Sequence, residues 1–282
     1  MRFAPYIGIT GFMYRMEVET VLDWRPRGNF LSMGPSWRPF MVGVLASSKT
    51  LAGMKNKYPN RYPPVDRIAD IFPSWSVTDV VNLIHYNTDD PDTLADQLLK
   101  LTALGGQYLH GFQLNSNWPV IRKLVIRELV KYHKRYPNVR MVLQIGRRVV
   151  AETEAFFGKE APRELAKQVV SFGNLISDVL FDMSGGRGEL LDVEQARRYL
   201  RAISERGLDR GLGVAGGLDG NTLPNIEPLL FGLSYLSIDA ENNLRDEEDK
   251  LSLPAVHGYI SAATELCGII EDSYPYEYPC LK

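Results

Sequence analysis

Apolar and β-branched residues along this chain gather into short runs, and the segments between them carry their apolar residues at helical spacing. The runs 5–10, 40–46, 80–86, 108–114, 139–145, 177–181, 211–215 and 236–240 read as buried strands, because a strand covered on both faces loses its alternation. Helical spacing predicts helices over 17–24, 65–72, 92–104, 119–135, 162–170, 193–205 and 255–270, with another starting near Asn221. Asp92 is the expected N-cap of the 92–104 helix, whose apolar face is Ala95, Leu98, Leu99 and Leu101. The 119–135 helix places Val120, Ile121, Leu124, Val125 and Leu129 on its inner face.

Continuous apolar runs that are each followed by a helix mean a parallel sheet covered by helices. Eight such units in 282 residues predict an α/β chain of one domain, 1–282, folded as a (β/α)8 TIM barrel. A doubly wound sheet would place its glycine fingerprint after the first strand, and Gly8 and Gly11 are too sparse for that. Two stretches interrupt the alternation. Residues 25–40, rich in Gly, Pro and aromatic side chains, and 47–64, with several basic and aromatic residues, read as ordered insertions after strands one and two. The Tyr- and Pro-rich tail 274–282 is expected to pack along the outside.

Composition narrows the function classes. Hydrophobic residues make up 45% and charged residues 23%, with a net charge of −2, which argues against nucleic-acid and membrane partners. Cys267 and Cys280 have no C-x-x-C spacing, so neither a disulfide framework nor a cysteine zinc site is expected. The histidines and acids show no ligand spacing, and no metal or cofactor is expected. No apolar run is long enough to span a bilayer and no signal-peptide pattern opens the chain, so the expected location is cytoplasmic.

The candidate chemistry centres on 177–188. A buried run ends on Asp182 and breaks into a loop holding Gly185, Gly186 and Gly188. A carboxylate at the end of a buried strand is costly unless it is solvated, paired or working. Glycines that take φ > 0 let backbone N–H groups approach an anion. Residues 213–221 repeat the design with Gly216 and Gly217, and Asn221 stands where a helix N-terminus would begin. Two such loops after strands six and seven suggest one phosphate site. His85 sits near the end of strand three as a candidate base. Gln113 and Asn115 share a face of strand four by alternation and read as substrate orienters, as does Gln144 on strand five. Arg187 is suited to grip a phosphate or carboxylate bidentately.

Several of these segments resemble phosphoribosylanthranilate isomerases. Ile7-Gly8-Ile9-Thr10 is similar to that family's Cys-Gly-Leu/Ile-Thr, and Gln113-Leu114-Asn115 to its Gln-Leu-His. Phe181-Asp182 with Gly185-Gly186-Arg187-Gly188 resembles its Leu-Asp followed by Gly-Gly-Thr/Ser-Gly. Ala215-Gly216-Gly217-Leu218 with Asn221, and Ile238-Asp239, are similar to its seventh- and eighth-strand motifs. The order is kept along the barrel, apart from the two insertions and the tail. The resemblance implies an Amadori-type aldose–ketose isomerisation, which needs a general acid at the ring oxygen and a base at C2. It implies that Asp182 is the acid, that Asp239 meets substrate, and that an arginine beyond strand two, here Arg61 with Lys49 as competitor, holds the substrate's carboxylate. The family's base is a first-strand Cys; the matching position is Ile7, which accepts no proton.

The expected partner is therefore a phosphorylated sugar or phosphoribosylated amine, turned over with an altered base or as an altered substrate, with a homodimer as a candidate assembly. The alternative is a barrel without catalysis that binds a phosphosugar or a protein partner. Ile7 and the acidic Glu241 after strand eight support that alternative. A Schiff-base aldolase would need a buried lysine at a strand end, and strands four to six show none.

Overall fold

The computed structural model describes residues 3–24, 38–74, 79–116, 118–185, 187–207, 210–233 and 235–273. Within them eight parallel strands close into a barrel in chain order. They are β1 (Ile7–Thr10), β2 (Phe40–Ser47), β3 (Val80–Asn87), β4 (Gly111–Asn115), β5 (Arg140–Gly146), β6 (Asp178–Asp182), β7 (Gly211–Ala215) and β8 (Leu236–Ala240). The seam closes by pairing Ile7 with Ile238 and Gly8 with Asp239. The helices are α1 (Arg15–Asp23), α2 (Ser48–Leu51), α3 (Ile68–Ile71), α4 (Leu94–Gly105), α5 (Trp118–His133), α6 (Arg147–Phe157), α7 (Ala161–Val170), α8 (Val193–Ser204), α9 (Glu227–Gly232) and α10 (Leu253–Ser273). This is the expected (β/α)8 barrel.

Alternation along the strands divides the apolar residues into two cores. Tyr6, Met41, Val81, Leu83, Val142, Leu180 and Ala215 fill the inside of the barrel. A much larger cluster between sheet and helices includes Ile9, Val42, Ile84, Phe112, Leu143, Phe181 and Ile238. The helices join it through one face each. In α8, Ala196, Tyr199, Leu200 and Ile203 are buried at the i, i+3, i+4, i+7 spacing, and Asp192 caps the start by accepting the Gln195 N–H at 2.9 Å.

Several local expectations change. Helix α6 follows β5 directly, buries Val149, Val150 and Thr153, and was not read from the sequence. Asp92 does not cap α4; Pro91–Thr93 form a 3-10 turn and Thr93 precedes the helix without a side-chain cap. Val125 and Leu129 are buried as expected, joined by Trp118 and Tyr132, but Val120 is 71% exposed, because non-helical dihedrals at Ile121 shift the phase of the first turn. The segment after Asn221 opens as a 3-10 turn, Leu223–Ile226, before the short α9. The insertion 47–64 is described throughout: it opens with α2 and returns to the barrel mouth through Arg61. Residues 25–37 of the first insertion, Gly186, and the tail 274–282 lie outside the described residues.

Candidate active site

Strand parity decides which side chains reach the C-terminal mouth. Tyr6, just before β1, belongs to the inner core whereas Ile7 packs against the outer one. Gly8 is the inward neighbour: a Cβ there would lie 3.0 Å from Asp239 Oδ1 and 2.6 Å from Met41 Cε. Ile7 therefore takes no part in lining the barrel. The space beside β1 is filled from β8 by Asp239, for which Gly8 leaves room.

His85, Gln113, Asp182, Ser184, Gly216, Gly217, Asp239 and Glu241 are among the residues lining one cavity of about 30 Å3 at the strand ends, room for roughly two waters. Asp182 accepts three hydrogen bonds: Ser184 N–H at 2.9 Å and Ser184 Oγ at 2.7 Å on Oδ1, and Gln144 Nε2 at 2.7 Å on Oδ2. Asp239 is met by Thr10 Oγ1, 3.0 Å from each of its oxygens. Gln113 Nε2 lies 3.4 Å from His85 Nδ1 and 3.5 Å from Gln144 Oε1.

Burial dominates the proton affinities here. It raises Asp182 above the usual carboxylate range against the opposing hydrogen bonds from Ser184. It pushes Asp239 up to about 8, helped by the negative charges of Glu241 and Asp182 and opposed by Thr10 and Gln113. It lowers His85 to about 4, although Asp182 and Gln144 oppose it. At neutral pH the cavity thus holds an uncharged imidazole beside a protonated carboxyl.

The glycine loops pack on one another. Gly185, Gly188, Gly216 and Gly217 all have positive φ, and a Cβ on Gly217 would stand 2.6 Å from the Glu189 carbonyl oxygen. Gly217→Ala is expected to cost about 1–3 kcal/mol, read as a lower urea midpoint, since it combines a left-handed backbone with a backbone clash. Polar groups of the protein itself already occupy much of this loop pair. Asn243 Nδ2 donates to Gly217 O at 2.9 Å and to Asp219 Oδ2 at 3.1 Å. Asp219 Oδ1 accepts the N–H groups of Asn221 and Thr222 at 2.7 and 2.9 Å. Asn221 is thus the donor in this turn and Asp219 is its capping residue. A carboxylate two residues before Asn221 is the sequence signal for that turn.

Other candidates stand apart from the cavity. Arg61 is engaged with Asp249 through Nε at 2.7 and 2.9 Å, and with Glu241 at 3.1 Å, and it also bonds Asn242. Glu241 is thereby a partner of Arg61, 23% exposed. Arg187 pairs with Glu189 at 3.0 Å on the exposed rim. Asn115 is half-buried at the end of β4 beside Asn87 and does not line the cavity. Lys49 is exposed on a separate groove of about 170 Å3 shared with Lys57, Tyr58 and Tyr62. Thr10 and Ser184 complete the polar shell and were missed from the sequence; Thr10's inward parity with Gly8 is the signal that would have found it. Among the described residues no group of three or more His, Cys, Asp or Glu is placed to hold a metal ion, and no helix is long and apolar enough to cross a membrane.

No protein-family model and no curated protein matches the chain. Among solved structures it is similar to the phosphoribosyl anthranilate isomerase from Thermus thermophilus, at 14% identity and a TM-score of 0.57, over 93% of this chain and 99% of that one. The phosphoribosyl anthranilate isomerase from Thermotoga maritima matches at 14% identity and a TM-score of 0.59, over the same shares. The catalytic domain of a hyperthermophilic chitinase from Pyrococcus furiosus matches at 10% identity and a TM-score of 0.53, over 98% of this chain and 99% of that one. A shared architecture across such different activities is a likeness of fold, and activity has to be argued from the site. The chain has the TIM-barrel fold, and its likeness to phosphoribosyl anthranilate isomerases is a distant one of architecture.

Proposed function

We propose that this chain is a proton-transfer isomerase that converts a phosphorylated sugar or phosphoribosylated amine from its aldose to its ketose form. One observation carries the reading: a single cavity at the C-terminal mouth gathers three carboxyl groups and an imidazole, with His85 lowered to about 4 and Asp239 raised to about 8. Such a divergence supplies a donor and an acceptor at the same pH. A carboxyl proton goes to the ring oxygen as the C1–O bond breaks, while the lone pair of the anomeric substituent forms the new C1 double bond. His85 takes the C2 proton, whose bonding pair becomes the C1=C2 bond. The O2 proton then returns to the carboxylate, and His85 delivers its proton to C1. The cavity, about 30 Å3, is far smaller than such a substrate, so binding requires the lining at the mouth to rearrange.

Purified protein incubated with ribose 5-phosphate or phosphoribosyl anthranilate in deuterated water is the direct test, followed by proton NMR. Ketose product is expected, carrying deuterium at C1 to the extent that His85 exchanges the proton with solvent before delivering it; no product and no exchange from either compound would count against an isomerase. The second reading, a ligand-binding barrel without catalysis, draws its support from Ile7, which packs in the outer core and offers no base on β1, and from the negative charge of Glu241 at the cavity. Thermal stabilisation by these compounds without exchange would favour it.

A further inference from the structure

Of the three carboxyl groups of the cavity, Glu241 is paired with Arg61, and Asp182 and Asp239 differ in their surroundings in a way that bears on which of them donates the proton. Asp182 accepts three donors, two on one oxygen and one on the other, a shell suited to a carboxylate. Asp239 has one hydroxyl, Thr10 Oγ1, shared between its oxygens, and it is 4% exposed. The Gln113 side chain adds a hydrogen bond that, like that of Thr10, favours the Asp239 carboxylate and is outweighed by burial.

We propose that Asp239, occupying the room left by the side-chain-free Gly8, is the proton donor of the reaction, while Asp182 stays ionised as the partner of His85. The inference rests on the isomerase reading and reverses the role that the family resemblance gives to Asp182. Asp239 gives its proton to the ring oxygen as the C1–O bond opens. It recovers a proton from O2 when the ketone forms, so no outside reactant is needed. Asp182 remains charged throughout and stabilises the imidazolium that His85 becomes after taking the C2 proton.

The groups facing Asp239 are consistent with the assignment. Asp182 on β6 and Glu241 beyond β8 bring negative charge, and the phenols of Tyr6 and Tyr259 lie near enough to feel the Asp239 charge. Burial, with these neighbours, places Asp239 near 8, so it carries its proton at neutral pH.

Two measurements on the full chain decide the matter. The first is the urea midpoint of wild type, Asp239→Asn and Asp182→Asn from pH 5 to 8. A carboxyl whose proton affinity rises on folding binds its proton more tightly in the native state, so its contribution to stability falls as pH climbs from the unfolded value toward the folded one. Asp239→Asn removes that loss. Its midpoint is expected to rise relative to wild type as pH increases through this window, and to rise more than that of Asp182→Asn. A larger rise in Asp182→Asn, or none in Asp239→Asn, overturns the proposal.

The second is the pH profile of turnover. Asp239→Asn is expected to lose at least 100-fold in kcat. Thr10→Val, which keeps the packing and removes a hydrogen bond to the carboxylate form, is expected to move the alkaline limb of kcat/KM upward. An active wild type with an unaffected Asp239→Asn, or an unmoved limb in Thr10→Val, overturns the donor role alone. An inactive wild type overturns the isomerase reading and the role together, while the midpoints still report which carboxyl holds the proton.

Discussion

Asp182→Asn is expected to reduce turnover by about 10²- to 10⁴-fold, the usual worth of a positioned proton-transfer group or its charged partner. The substitution is close to isosteric, yet it removes the charge nearest His85 and reverses one hydrogen bond. The two Ser184 donors require an acceptor at the Oδ1 position, so the new amide nitrogen must face Gln144 Nε2, now 2.7 Å from Oδ2. Two donors then oppose each other unless the Gln144 amide turns over. Turning it would also break the 3.5 Å contact from Gln113 Nε2 to Gln144 Oε1. The loss should therefore fall mainly on kcat, with a smaller change in KM from the disturbed amides. Steady-state kinetics with the substrate established by deuterium exchange would measure it, and activity within threefold of wild type would remove Asp182 from the mechanism.

Asp178→Ala is expected to destabilise the protein by about 3–5 kcal/mol without bringing any change to the mouth. Arg140 and Asp178 form a pair at the opposite end of the barrel, with bonds of 3.0 and 2.6 Å and only 2% and 4% of their side chains exposed. The Arg140 guanidinium also lies 4.9 Å from the Tyr6 ring and 5.1 Å from the Phe3 ring. Deleting the carboxylate leaves a buried cation that neither ring replaces. Because β7 places Gly211 beside it, where a Cβ would come within 2.0 Å of Asp178 Oδ1, the site is shaped around this carboxylate. Urea unfolding would give the loss. The double change Arg140→Met with Asp178→Leu should recover much of it, since an apolar pair leaves no charge unpaired. A single variant as stable as wild type would mean that Arg140 finds another partner or reaches solvent.

The strands were legible because each is a short, continuous apolar run, and a strand covered on both faces has no other way to appear. Their order followed from the spacing of the runs alone. Helix α6 was not legible in the same way: its buried set is only Val149, Val150 and Thr153, flanked by charged residues that mask the face. Val120 misled because helical spacing presumes one uninterrupted helix, and the departure at Ile121 broke that presumption. For the site, Asp182, Gln113, Gln144, His85 and Asp239 could be placed near strand ends by counting. Arg61 could not, since its engagement with Asp249 spans 188 residues of chain.

By itself the sequence determined the barrel, the end of it that carries the polar groups, and most of the residues gathered there, because strand periodicity and βα alternation are local properties. Only the tertiary structure decided how those residues divide the work. Ile7 faces the helices, Gly8 makes room for Asp239, and Asp219 accepts the N–H groups of Asn221 and Thr222. Each of these depends on which side chain meets which across the barrel, and on how far burial moves a proton's affinity, and neither is written in the spacing of residues along one strand.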